Sequence, residues 1–157
     1  MIAKVGGRSN AFTSEDYTGY HQQLHYSNLE LSVQLEADRM VNLNLTEASF
    51  AKELRVVMEE RRQRVDDNPR ALLYERLNST MFMAHPYLTP VVGWMNDREN
   101  MQLRDARDWY DAWYAPNNTV LVVSGDVQQE QVFAPAEKHI GLMPARSLPV
   151  RKPPSEP

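Results

Sequence analysis

The chain has no cysteine, which removes disulfides, thiolate zinc sites and cysteine nucleophiles from consideration and is compatible with the cytosol, the periplasm or the outside of a cell. Positive charge is not in excess: 17 Lys and Arg stand against 21 Asp and Glu, for a net charge of −4. That balance, with a pI of about 5.6, argues against a general nucleic-acid-binding surface. No run approaches the ~20 apolar residues of a membrane span. The opening residues, Met1 to Gly7, carry no signal-peptide pattern. There is no phosphate-cradling glycine loop, no ordering of Ser, His and Asp that suggests a hydrolase triad, and no internal repeat. What is present is ordinary: 157 residues, 42% hydrophobic and 24% charged, enough for one folded domain with a real core.

Local patterns divide the chain into elements. An apolar turn meets Gly6-Gly7 at once, which reads as the last turn and cap of a helix. Thr, Tyr and Phe enrich the following residues, predicting extended segments over Asn10–Thr13 and Tyr17–Tyr26 around a polar bend at Ser14–Asp16. Ser27 and Glu30 have capping-box spacing and predict a helix to about Val41, with Leu31, Leu35 and the 37–40 region on related faces. Thr46 is the expected cap of a second helix from Glu47 to about Val65. Asp66-Asp67-Asn68-Pro69 ends it, and Pro69 suits the first turn of a third, Arg70 to Phe82. Two prolines and a glycine make 85–93 non-helical. Helical spacing returns from Leu103 to Tyr114, where Trp109, Tyr110, Trp113 and Tyr114 read as core or interface aromatics. Pro116-Asn117-Asn118 is a turn, Thr119 to Ser124 is the strongest strand pattern in the chain, and a last helix spans about Gln128 to Ile140. Five prolines in the fourteen residues from Pro144 predict a linker.

The stretch Glu53-Leu-Arg-Val-Val-Met-Glu-Glu60 carries the most chemistry. On a helix, Glu53 and Glu60 lie within about 20° of each other, two turns apart. They border the apolar stripe of Phe50, Leu54, Val57 and Met58, with Glu59 on the solvent side. Carboxylates beside a buried face need cationic compensation. A divalent metal is one candidate; Arg55, Arg61 and Arg64 are the other. His21 and His25 have a spacing that suits zinc on a helix, but their surroundings are strand-like and no glutamate lies between them, so they read as polar-face histidines. His85, before Pro86, reads as a loop residue capping backbone groups, and His139 as a favourable charge near a helix end.

Several segments taken together resemble the insulinase/pitrilysin family of zinc peptidases. Gly6-Gly7-Arg-Ser-Asn10-Ala11-Phe12-Thr13-Ser14 with Asp16-Tyr17-Thr18 is similar to the family's segment after its metal helix. Leu35-Glu36-Ala37-Asp38-Arg39-Met40 resembles the helix that follows. Glu53-x-x-Val56-Val57-x-Glu59-Glu60 with Asp67-Asn68-Pro69 resembles its glutamate-bearing helix. His85-Pro86-Tyr87 with Pro90-Val91-x-Gly93, and Tyr114-x-Pro116-Asn117-Asn118 with Leu121-Val122-Val123-x-Gly125-Asp126, match the loop and strand beyond. The match runs in order over nearly all of residues 4 to 143.

The resemblance implies an α+β fold, a mainly antiparallel sheet with helices packed on one face, and peptide-bond hydrolysis by a zinc metalloendopeptidase acting on peptides or unfolded segments. By motif position it makes Glu60 a zinc ligand and Glu53 the supporting acidic residue, with Asn10, Ala11 and Phe12 on the strand that pairs with a peptide substrate. The family's zinc histidines and general base lie in a His-x-x-Glu-His motif, and these 157 residues contain none. The chain alone is therefore expected neither to bind zinc tightly nor to cleave peptides. It reads as an excised piece: residues 1–143 as a partial peptidase domain and 144–157 as a proline-rich tail. Its expected partners are a peptide substrate and the remaining domains of a longer peptidase, with no nucleic acid and no membrane span. The isolated chain is expected to self-associate through an uncovered sheet edge, and the resemblance implies a periplasmic or secreted setting in a bacterium. One alternative is a non-catalytic interaction or structural module of the same fold. Another, unrelated, is a helical scaffold whose Glu53 and Glu60 pair with arginines.

Overall fold

A computed structural model describes residues 1–152 and 156–157. The fold is α+β: 58% of the described residues are helical, beside a two-stranded antiparallel sheet. The chain forms two compact units, each assembled from separated segments: Met1–Phe12, Thr18–Asn44 and Asp108–Pro149 in the first, and Thr13–Tyr17, Leu45–Arg107 and Val150–Pro157 in the second.

The first unit begins with the expected apolar turn, Ile2–Val5, closed by Gly6 at φ +75°. Left-handed backbone of this kind favours glycine because it carries no Cβ. Gly7 is needed for a different reason: a Cβ there would lie 2.8 Å from Ile2 Cγ2 and 3.0 Å from the Gln23 carbonyl. Strands β1 (Arg8–Thr13) and β2 (Thr18–Gln23) follow. Helix α1 spans Leu29–Asn42, and its buried stripe is Val33, Ala37 and Met40. Leu31 and Leu35 are only half-buried. The Ser27/Glu30 capping box does not form. Instead His25 accepts the Ser27 N–H and a short turn, Tyr26–Asn28, leads into α1. Glu30 is drawn elsewhere, to Lys138 at 2.6 Å and His139 at 3.2 Å.

Those two partners follow helix α6 (Gln129–Ala136), in a wider helical turn, Glu137–Gly141, and α6 packs on α1. Lys138 first and His139 second hold the Glu30 carboxyl below its usual range. Tyr110, buried near the end of helix α5 (Leu103–Trp113), donates to the Arg39 carbonyl at 2.8 Å and accepts the Leu43 N–H at 3.4 Å, tying the end of α1 down. Tyr114 shares a hydroxyl–hydroxyl bond with Tyr20; burial first and that bond second raise its pKa well above the usual tyrosine value. Trp109, in contrast, is exposed. The segment predicted as the best strand, Thr119–Ser124, has no ladder partner among the described residues. Val120 and Val122 are 83% and 80% exposed, because a β pattern needs a neighbouring strand to become a β-strand.

In the second unit, α2 (Glu47–Arg61) starts where expected. Thr46 and Ser49 cap each other reciprocally, an arrangement worth about 1 kcal/mol over alanine. The helix then widens into a π-type turn, Arg62–Asp66. Asn68 accepts the N–H groups of Arg70 and Ala71 and opens α3 (Pro69–Met81), with Pro69 in the first turn. A short turn at Pro86–Leu88 and helix α4 (Met95–Asn100) follow in this unit. The residues of α4 had no helical expectation.

Candidate functional site

The two carboxylates singled out on α2 are one above the other by helical geometry, and neither is buried. Glu53 is exposed. Glu60 is 38% exposed and pairs with Arg64, four residues on, at 3.0 Å. Glu59 faces solvent as expected; Gln63 and then Arg62 hold its carboxyl below the usual range. Of the arginines expected to compensate the pair, Arg64 does so for Glu60, through a side chain that is itself largely exposed. Such surface i,i+4 pairs are worth only about 0.3–0.5 kcal/mol, so Glu60 is readily released to another cation. The stripe of Phe50, Leu54, Val57 and Met58 is half-buried rather than buried.

Arg61 is the surprise on this helix. It is 5% exposed and has turned away from Glu60. Its guanidinium donates to both carboxylate oxygens of Glu75 on α3, at 2.8 and 3.0 Å, and to the Gly93 carbonyl at 2.9 Å; Asp66 lies 3.6 Å away. It also sits 5.8 Å from the Trp94 ring centre. The hydrogen bonds it donates to Glu75 are the main reason its pKa is raised. Gly93 is at φ +74°, and a Cβ there would fall 2.2 Å from Nη2 of Arg98. This network locks the end of α2, the middle of α3 and the loop before α4, and so sets the rotation of α2 that presents Glu53 and Glu60 outward. The signal was readable: Arg61 falls four residues after Val57 and seven after Leu54, on the apolar stripe itself.

Asn10, Ala11 and Phe12 lie on β1, exposed along its whole length. Among the described residues β1 pairs only with β2, which leaves its other edge open. The Ala11 N–H is taken by the side chain of Asn10 at 2.9 Å. Phe12 lies across Gly19, where a Cβ would come within 2.4 Å of its ring, and its ring centre is 6.3 Å from that of His21. A cleft of about 970 Å³ runs beside β1, β2 and α1, lined in part by Ser9, Asn10, His21 and Asp38. His21 and His25 do not share a helix face: His21 is on β2, while His25 caps the turn beyond it. His85 caps the Tyr87 N–H at 3.2 Å, as expected of a loop histidine. Among the described residues no three His, Asp or Glu side chains gather as a metal site, and no helix is long and apolar enough to cross a membrane.

Comparison with known proteins gives these positions a context. The family model described as Insulinase (Peptidase family M16) matches residues 1–93, and the model described as Peptidase M16 inactive domain matches residues 100–157. The zinc protease PqqE of Helicobacter pylori is 40% identical over 139 residues, covering 88% of this chain and 31% of that protein. An uncharacterized zinc protease of Mycobacterium leprae is 32% identical over 154 residues, covering 96% of this chain and 34% of that protein. The crystal structure of a protease from Helicobacter pylori superposes with a TM-score of 0.91 at 37% identity, over 99% of this chain and 38% of that one. The chain thus spans about a third of the length of the relatives it matches.

Proposed function

Since the chain belongs to the insulinase family of peptidases, peptidase family M16, we propose that it forms part of a zinc metalloendopeptidase. It supplies one carboxylate ligand, Glu60, and the supporting Glu53. The observation that carries this reading is the presentation of both on α2: they are outward, stacked two turns apart, and left out of the buried Arg61 network. Zinc is implied by the relatives' names. The residues present fit it only as a partial set, because Glu60 offers a single carboxylate and the chain has no His-x-x-Glu-His. When bound, zinc held by a carboxylate and two imidazoles supplies an activated water for amide hydrolysis.

The chain's own residues have three tasks. Glu60 exchanges Arg64 for the metal and keeps negative charge at the site. Glu53, one face and two turns away, orients the ligands and balances their charge. The open edge of β1 takes a peptide backbone as an added strand: the Asn10 side chain, which covers the Ala11 N–H in the free chain, gives way to a substrate carbonyl, and Phe12 flanks the bound segment. Substrates of this kind are peptides or unfolded segments, since only an extended backbone can align along a strand edge. The histidines would come from the His-x-x-Glu-His helix that this partial domain lacks, and the remaining domains of a longer peptidase are its partners.

Metal analysis and a quenched-peptide assay test the reading. The chain alone is expected to hold zinc below stoichiometry and to cleave nothing in a chelator-sensitive way. Adding a polypeptide that carries the His-x-x-Glu-His helix is expected to create both properties. Glu60→Gln then abolishes them, and Glu53→Gln weakens metal affinity by about 10–100-fold. Stoichiometric zinc in the chain alone, or full activity with Glu60→Gln, would sink the proposal.

The isolated chain also self-associates in this reading, supported by the open edge of β1 and by the exposed Val120 and Val122, whose segment has no ladder partner among the described residues. Sedimentation velocity is expected to show dimers or larger species that grow with concentration, and Val122→Lys to shift them toward monomer, since a charge on an open strand opposes edge pairing. A clean monomer at high concentration contradicts this. The second reading, a non-catalytic module, is favoured by the match of residues 100–157 to a domain described as inactive. Glu53 and Glu60 lie outside that match, within the peptidase portion, which is why the catalytic reading is preferred.

A further inference from the structure

Helix α3 ends at Met81, and Phe82 contributes the last N–H to a helical carbonyl, that of Asn78 at 3.0 Å. The next three N–H groups make no backbone hydrogen bond among the described residues. They converge instead on one carboxylate, that of Glu156. Met83 N–H reaches Oε2 at 2.9 Å, Ala84 N–H reaches Oε1 and Oε2 at 3.2 and 3.4 Å, and His85 N–H donates to Oε1. Successive amides aimed at one point form a concavity suited to an oxyanion, and such nests capture carboxylates in peptide recognition.

The backbone here is held in shape independently of Glu156. Pro86 has a fixed φ, the His85 ring accepts the Tyr87 N–H at 3.2 Å, and the rings of Phe82, His85 and Tyr87 pack with centres 4.3 to 5.9 Å apart. Tyr87 in turn donates to Asp16 at 2.9 Å. The carbonyl end of α3 opposes an anion at this place. The amide bonds win that contest, with those from Met83 and His85 foremost in holding the Glu156 carboxyl below its usual range. Met83 and Ala84 are exposed, so water can replace the carboxylate when it leaves, and exchange costs no buried, unpaired donor.

We propose that residues 83–85 are a binding site for the carboxylate of an acidic peptide, and that Glu156 occupies it as a competing ligand from within the chain. The proposal uses none of the residues on which the peptidase reading rests, Glu53, Glu60 and Asn10 to Phe12, so its failure leaves that reading untouched.

Amide resonances of the ¹⁵N-labelled chain test it. Glu156→Ala is expected to move the amide protons of Met83, Ala84 and His85 upfield. Adding N-acetylglutamate amide, a side-chain carboxylate, or N-acetylalanine, an α-carboxylate, is expected to move them back. The probe that acts tells whether the nest reads an internal acidic residue or a peptide C-terminus; a response to both assigns it to carboxylates in general. Apparent affinity in the wild-type chain is expected to be about tenfold weaker, because Glu156 holds most of the sites. Ala84→Pro in the Glu156→Ala background removes the central donor and is expected to end the response. Two results overturn the proposal: no shift of the three amides in Glu156→Ala, or no binding of either probe by that variant.

Discussion

Replacing Arg61 with alanine is expected to destabilise the second unit by about 3–5 kcal/mol, the cost of removing one partner from a buried ion pair. Total stabilities of domains are about 5–15 kcal/mol, so the change approaches a loss of folding. The size follows from what is left behind: Glu75, only 10% exposed, would keep a charge with no cation, and the Gly93 carbonyl would lose its donor. Urea unfolding followed by circular dichroism measures it. Arg62→Ala, one residue on, is the control; that side chain is half-exposed and its partner Glu59 lies on the surface, so a change within about 0.5 kcal/mol is expected. The double variant Arg61→Met with Glu75→Leu should recover most of the loss, because an apolar pair of similar volume has no charge to desolvate. If Arg61→Ala and Arg62→Ala prove equally mild, the buried network does not organise this unit.

Met40→Ala is expected to be the second large loss, about 2–5 kcal/mol from the transfer free energy of the removed atoms and the cavity they leave. Met40 closes the buried stripe begun by Val33 and Ala37 on α1, at the end that Tyr110 ties down through the Arg39 carbonyl. Val41→Ala, on the neighbouring and exposed position, should change stability by no more than about 0.5 kcal/mol. The same denaturation experiment separates the two. Equal effects would mean that α1 does not bury the face described here.

How far the sequence could be read depends on the range of the interaction. The start of α2 at Thr46, the break and restart at Asn68-Pro69, and the glycine cap after Val5 were legible because each rests on bonds between residues two to four apart. The Ser27/Glu30 box looked equally local and failed, because Lys138 and His139, more than a hundred residues away in sequence, offered Glu30 a charge partner. Thr119–Ser124 has the composition of a strand, but pairing is supplied by another segment, and composition does not name one. The family resemblance reached further than either, since it rests on the order of several motifs, and the matches to zinc proteases bear it out.

By itself the sequence determined that this is an α+β member of a peptidase family, that Glu53 and Glu60 share one face of a helix, and that the His-x-x-Glu-His motif is not among these residues. Helical periodicity and motif order are properties of the chain alone. Only the tertiary structure decided which way that helix turns. Arg61 takes the buried position because Glu75 and the Gly93 carbonyl, from two other segments, together compensate its charge, and the two glutamates are left facing outward. Tertiary structure likewise brought Glu156 to the amides of residues 83–85, since a carboxylate is matched to a backbone nest by position in space and not by any spacing in sequence.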